Sequence, residues 1–268
     1  MDIYDKAWTG DGRMILSAVK ERTISNSFRL TYFNVVEYDT FAECLDRHLV
    51  SIWFGPSGER SIEIAKKKMK RYFETKLKSR NLLCGSCAEF FLHFYLGQHG
   101  YQQACLCSNL EENSIKKGFD GFYLKNGQYW LMESKSSIDG ASPHLFKVEE
   151  AYRDLCHKIN AFDENDPWEN ALNHGFAAGI EESILKQIKS LSDDFTLERR
   201  HDLKEFNMIP CGTVFIDKAL DEDEAEELFS SARLYFKDKD YASLHVVCVS
   251  HSALAGFLRY LGLECLDE

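Results

Sequence analysis

A chain of 268 residues with 44% apolar and 13% aromatic content can bury a core, as one large domain or two small ones, which excludes a disordered polymer. Its net charge of −11 excludes a uniformly basic surface, so any binding of nucleic acid must come from charge that is unevenly spread. No run approaches a membrane span, and residues 1–14 (MDIYDKAWTGDGRM) lack the basic start and apolar centre of a signal peptide; this predicts a cytoplasmic protein with no membrane partner, its nine cysteines reduced.

Residues 27–38 (SFRLTYFNVVEY) and 48–54 (HLVSIWF) are rich in β-branched and aromatic side chains and predict strands in an N-terminal α/β region. The Gly-Pro-Ser-Gly turn at 55–58 sets a boundary near residue 60 between that region (1–60), read as recruiting DNA or a protein partner, and a core over 61–268. Residues 59–80 predict one long basic helix. Lys66, Lys67, Lys68, Lys70, Arg71, Lys76, Lys78 and Arg80 stand against Glu74 alone in 66–80, a local +7 that leaves −18 elsewhere. Such a helix either tracks a phosphate backbone, with Tyr72 and Phe73 anchoring its other face, or is a solvated face balancing the acidic remainder.

Residues 84–99 continue as a helix, with Cys87, Phe90, Phe91, Phe94 and Tyr95 on one apolar stripe and Gly97 and Gly100 at its end. Glu89 lies off the centre of that stripe, facing either the sheet edge or water. Residues 101–110 (YQQACLCSNL) predict the first core strand. Cys84 and Cys87, followed by Cys105 and Cys107, have zinc-ligand spacing, but one pair opens an amphipathic helix and the other alternates along a strand, where thiols serve as small apolar groups; no zinc site is expected.

Residues 118–137 (GFDGFYLKNGQYWLMESKSS) read as two strands joined at Lys125-Asn126-Gly127. Side chains at i and i+2 share a face, so Glu133 and Lys135 point the same way, and antiparallel pairing across the turn brings Asp120 beside Glu133. Two converging carboxylates suit Mg2+ or Mn2+, which take oxygen ligands and keep waters that a substrate phosphate replaces. The lysine adds a fixed positive charge where an attacking water and a pentavalent phosphate would sit. Both charged residues follow Tyr129, Trp130, Leu131 and Met132, a run that reads as buried, which counts against an ordinary surface ion pair.

Beyond the hairpin, residues 143–162 predict a helix on the sheet with Lys147, Ala151, Asp154 and Lys158 on one face; its plain reading is a solvent face with ion pairs to Asp154. A polar break at 163–167 precedes a helix over 168–191, interrupted near Gly175 and Gly179. Residues 209–217 (IPCGTVFID) and 243–250 (SLHVVCVS) are nearly continuous apolar runs that fit inner strands. Between them the acidic stretch 221–227 (DEDEAEE) opens a helix, and either serves its N-terminus, docks on a basic partner or masks residues 66–80.

With Asp120, and Glu133-Ser134-Lys135 thirteen positions on, the chain resembles the PD-(D/E)xK nuclease superfamily over roughly residues 81–160, with Phe119 where the superfamily name has a proline. The order of the Glu89 helix, GFDGFYL and LMESK further resembles the HamA family, the nuclease subunits of the bacterial Hachiman antiphage system. These resemblances imply an α/β (α+β) fold with a restriction-endonuclease-like core, a central mixed sheet flanked by helices, here with the N-terminal α/β extension. They imply a metal-dependent deoxyribonuclease: Asp120, Glu133, an outermost Glu89 and the Ser134 carbonyl as metal ligands, Lys135 as catalytic lysine, and cleavage to 5′-phosphate and 3′-hydroxyl ends. They also imply a basic residue from the following helix on the substrate phosphates, for which Lys147 is the candidate beside Lys66, Lys67, Lys70 and Arg71, and a helicase partner, HamB, that holds the nuclease inactive. The rivals are a nuclease of the same fold acting on RNA, a non-catalytic nucleic-acid or protein-binding module, and a thiol hydrolase built on Cys87 with His93 or His144.

Overall fold

The computed structural model describes residues 16–37, 41–55, 59–105, 118–138, 143–162 and 165–264. Seven strands, β1 (Leu16–Ser25), β2 (Phe28–Val35), β3 (Gln102–Gln103), β4 (Gly121–Lys125), β5 (Gln128–Ile138), β6 (Asn207–Phe215) and β7 (Ser243–His251), form one sheet in the order β1-β2-β7-β6-β5-β4-β3. The four central strands run parallel, and antiparallel neighbours close both edges. Every residue of β6 is buried, as an inner strand covered on both faces requires, and this explains the unbroken apolar run in its sequence.

Helices cover both faces. On one, α1 (Phe41–Phe54), α2 (Ile62–Lys76), α3 (Arg80–Gln98) and α8 (Leu254–Tyr260) pack with Met132, Ile209 and Val247; on the other, α4 (His144–Asn160), α5 (Pro167–Ala178), α6 (Glu182–Thr196) and α7 (Glu222–Phe236) pack with Leu131, Met208 and Val246. This is the mixed α/β architecture expected, consistent with a nuclease-like α+β core. The strands of residues 1–60 share this sheet: β2 pairs with β7 from Phe28↔Leu244 to Val35↔His251. Among the described residues no helix is long and apolar enough to cross a membrane.

Several local expectations are corrected. Residues 48–54 are the second half of α1, not a strand, because Phe41, Cys44, Leu45, Leu49, Ile52 and Trp53 recur at helical spacing and all are buried. The basic helix is two helices: Ser79, extended, accepts from the Leu82 N–H and caps a new start at Arg80. The strand expected at 101–110 is Gln102–Gln103 within the described residues, and the rest of it from 106, Cys107 included, lies outside them. Gly179, in the left-handed conformation at φ 68, ends α5 as predicted, whereas Gly175 stays inside it and serves close packing, since a Cβ there would meet Ile180 and Leu185 at 2.9 and 3.0 Å. The acidic opening of α7 forms a capping box between Asp221 and Glu224, and Glu226 pairs with Arg22 at 2.5 Å. Because α7 and α2 lie on opposite faces of the sheet, this acidic segment does not mask the basic helix.

Candidate active site

Alternation along β5 decides what faces what. Leu131 packs with α4 and Met132 with α3, so Glu133 and Lys135, two and four residues after Leu131, face α4. The pairing Gly121↔Met132 puts Asp120, one residue outside β4, opposite Glu133. Asp120 Oδ2 accepts the Ser134 N–H at 2.9 Å, a bond that fixes the carboxylate across the hairpin.

Glu133 is 2% exposed, and each of its oxygens accepts from an ammonium group: Oε1 from Lys135 Nζ at 3.2 Å and Oε2 from Lys158 Nζ at 2.5 Å. Each lysine has a second partner. Lys135 reaches Asp154 Oδ2 of α4 at 2.5 Å, and Lys158 donates to the Gly118 carbonyl at 2.9 Å. The approach to Asp120 is held by packing: a Cβ on Gly118 would lie 2.4 Å from Asn170 Nδ2, and the Phe119 ring meets Trp168 edge-on, centroids 4.9 Å apart. Where a proline would stiffen this entry through its ring, Phe119 does so by anchoring on α5.

The electrostatics follow from this packing. Burial pushes the Glu133 carboxyl up to about 7 and the charge of Asp120 adds to that, while Lys158 and Lys135 pull the other way. Burial alone would lower the Lys135 ammonium, but Glu133, Asp154 and Asp120 outweigh it, so the lysine is held above its ordinary value and stays charged. Burial, with smaller contributions from Asp120 and Glu89, raises the nearby Cys105 thiol to about 11.

Of the residues singled out by sequence, Asp120, Glu133, Ser134 and Lys135 come together. Glu89 is half-buried on α3; among the described residues no three His, Cys, Asp or Glu side chains are close enough to hold a metal, so it does not complete a cluster with the two carboxylates. The donor set nevertheless suits a hard dication. Two carboxylates repel one another on one face, and the formal charges of Asp120, Glu133, Asp154, Lys135 and Lys158 sum to −1, which a divalent cation turns to +1, complementary to phosphate.

Lys147 pairs with Glu150 at 2.7 Å rather than with Asp154, and the lysine of α4 that reaches the carboxylates is Lys158. A ruler applied to the sequence finds it. The helix returns along the strand it follows, and at roughly 1.5 Å per helical and 3.3 Å per strand residue the second half of α4, not its first turn, lies level with Glu133. Lys66 pairs with Asp46 and Lys70 donates to the Gly262 carbonyl, both at 2.6 Å, while Lys67 and Arg71 are exposed on α2, in the layer across the sheet from α4. Cys87 Sγ lies 3.4 Å from His251 Nε2, not beside His93 or His144. Burial raises that thiol and lowers the imidazole to about 3, so the pair is neutral and enclosed, without the thiolate a thiol hydrolase needs.

The family profile HamA matches residues 14–250, a span containing β1 to β6, all of β7 but its last residue, and the whole carboxylate and lysine cluster. The chain belongs to the HamA family. Membership marks it as a protein of antiphage defence, of the Hachiman system. Comparison with curated proteins and with solved structures gave no match.

Proposed function

We propose that this HamA-family chain is a metal-dependent deoxyribonuclease, the effector of a cytoplasmic antiphage complex in which a helicase partner of the HamB kind restrains it. The observation that carries the reading is the placement of Asp120, Glu133 and Lys135 on one face of the hairpin, with Lys135 bonded to Glu133 at 3.2 Å. Asp120 and Glu133 would hold Mg2+ or Mn2+, with the Ser134 carbonyl as a further oxygen. Such an ion neutralises phosphate and lowers the pKa of bound water. Lys135, kept protonated by Glu133 and Asp154, orients the attacking water and offsets negative charge developing on the phosphate. Glu133 accepts a cation only when ionised, and burial holds its carboxyl up, so protons compete with the metal and the Mg2+ needed for cleavage falls as pH rises. The exposed Lys67 and Arg71 of α2 are candidates for contacts to the phosphate backbone away from the reacting bond.

The test is incubation of purified protein with plasmid, linear and single-stranded DNA, and with RNA, with and without Mg2+. Cleavage of DNA that EDTA stops is expected, and the joint change of Glu133 and Lys135 to alanine should abolish it while circular dichroism stays unchanged. A folded double variant that still cuts DNA would sink the assignment, and cleavage confined to RNA would change the substrate. Failure to co-elute with the product of a neighbouring helicase gene after co-expression would remove the partner.

A further inference from the structure

Each oxygen of Glu133 already accepts from an ammonium group, so a divalent cation entering at this buried carboxylate competes with two resident positive charges. The two are not equally held. Lys135 lies between two carboxylates, Glu133 and Asp154, whereas Lys158 has Glu133 on one side and only the neutral Gly118 carbonyl on the other. Lys158 also joins the two arms, beside the bond from the Ser134 N–H to Asp120: its Nζ touches the residue two before Asp120 on one arm and Glu133 on the other. Without it, a carboxylate that is 2% exposed and faces a second carboxylate would lose its nearest positive charge.

We propose that Lys158 is a positioning residue and the resident counter-cation of this site: it ties the Glu133 carboxylate to the Gly118 carbonyl and gives up Glu133 Oε2 when a divalent cation enters. The proposal rests on the nuclease reading, because it takes Glu133 as a metal ligand. It places the role of α4 at these carboxylates on Lys158, while Lys147 pairs with Glu150. Lys158 then keeps Gly118 as its anchor while the cation replaces its charge at Glu133, so the arm carrying Asp120 stays in place as the metal loads.

A merely structural lysine and a competing one predict opposite signs. Titration calorimetry of the full chain with Mn2+, at about pH 8.5 so that Glu133 is ionised, should show Lys158→Met binding the cation at least about fivefold more tightly than wild type, with Lys158→Arg restoring the wild-type affinity. Folded Lys158→Met that binds no tighter, or more weakly, overturns the proposal. Glu133→Gln separates the two readings: if it binds Mn2+ as wild type does, the metal assignment itself fails, whereas loss in Glu133→Gln with no gain in Lys158→Met fails this proposal alone. Should Lys158→Met not fold, reductive methylation of the wild-type protein read by mass spectrometry decides the matter. Mg2+ should raise modification of Lys158 several-fold relative to Lys147, and no rise, or protection, overturns it.

Discussion

Buried polar groups line both faces of the sheet, and the two faces treat them differently. On the α3 face the Tyr95 hydroxyl lies 3.1 Å from Oε1 of the exposed Glu21 at the rim and 3.3 Å from Thr31 Oγ1, Thr31 Oγ1 lies 2.9 Å from His245 Nε2, and His245 Nδ1 lies 2.9 Å from the Tyr101 hydroxyl. Burial drives His245 well below the ordinary histidine range and Tyr95 and Tyr101 above the ordinary tyrosine range, so the chain of hydroxyls and imidazole is neutral. On the α4 face the groups are charged: Glu133 sits between two ammonium ions and beside a second acid. A neutral, mutually bonded set positions backbone at modest cost, while charges kept away from water are costly unless they are used. The contrast separates architecture from chemistry, even though both sets look equally unusual when the residues are only counted.

The sharpest way to break that contrast is to remove the centre of the neutral set. His245→Ala takes the imidazole bonds away from Thr31 and Tyr101 in a sealed site and opens a void; urea unfolding should show a loss of about 3 kcal/mol, and a loss below about 1 kcal/mol would mean the network is not architectural. A smaller effect of opposite sign is expected across the sheet. The Glu133 carboxyl is held up at about 7 in the folded chain, so between the ordinary carboxylate range and pH 7 the folded state holds a proton the unfolded state has released, and stability falls as pH rises through that window. Glu133→Gln removes this dependence and should melt above wild type at pH 8, the difference shrinking to nothing near pH 4; a constant difference breaks the electrostatic account. Buried histidines titrate the other way: His93 and His251 are held at about 4 and about 3 by burial, so what they contribute is intact above the ordinary histidine value of about 6.5 and is lost as pH falls toward 3. The smallest effect is at the rim. Asp154→Asn takes one of two acids from Lys135 and should lower kcat by about threefold to tenfold with stability changed by less than about 0.5 kcal/mol, because Asp154 is half-exposed. A loss as large as that of Lys135→Ala would make Asp154 part of the machinery rather than its support.

Much of this is legible in the amino-acid sequence. The Lys125-Asn126-Gly127 turn, with Asn126 and Gly127 at φ 53 and 73, fixed the hairpin, and period-two alternation then put Asp120, Glu133 and Lys135 on one face without further information. The inner strands β6 and β7 were read from unbroken apolar runs, and the acidic start of α7 from its charges. What failed was whatever depended on a partner far away in the chain. HLVSIWF alone fits strand or helix, and only the wider window from Phe41 shows the helical period that α1 buries against α3. A lone Ser79 amid basic residues gives little warning that one helix ends and another begins there. Lys158 and Lys147 look alike on a helical wheel; which of them meets Glu133 depends on where α4 lies along β5. The helix that carries Glu89 follows from its apolar stripe, but the periodicity of α3 cannot set the distance of Glu89 to a hairpin more than thirty residues on.

The strand order carries a consequence for how the protein is made. β5 waits for β6, which begins near residue 207, and the β1–β2 pair, synthesised first, has no place in the sheet until β7 near the other end of the chain slides between it and β6. A ribosome that stalls midway therefore releases a hairpin bearing acids and a lysine but no flanking parallel strand to hold it, and every protein that completes its sheet has been translated at least through His251.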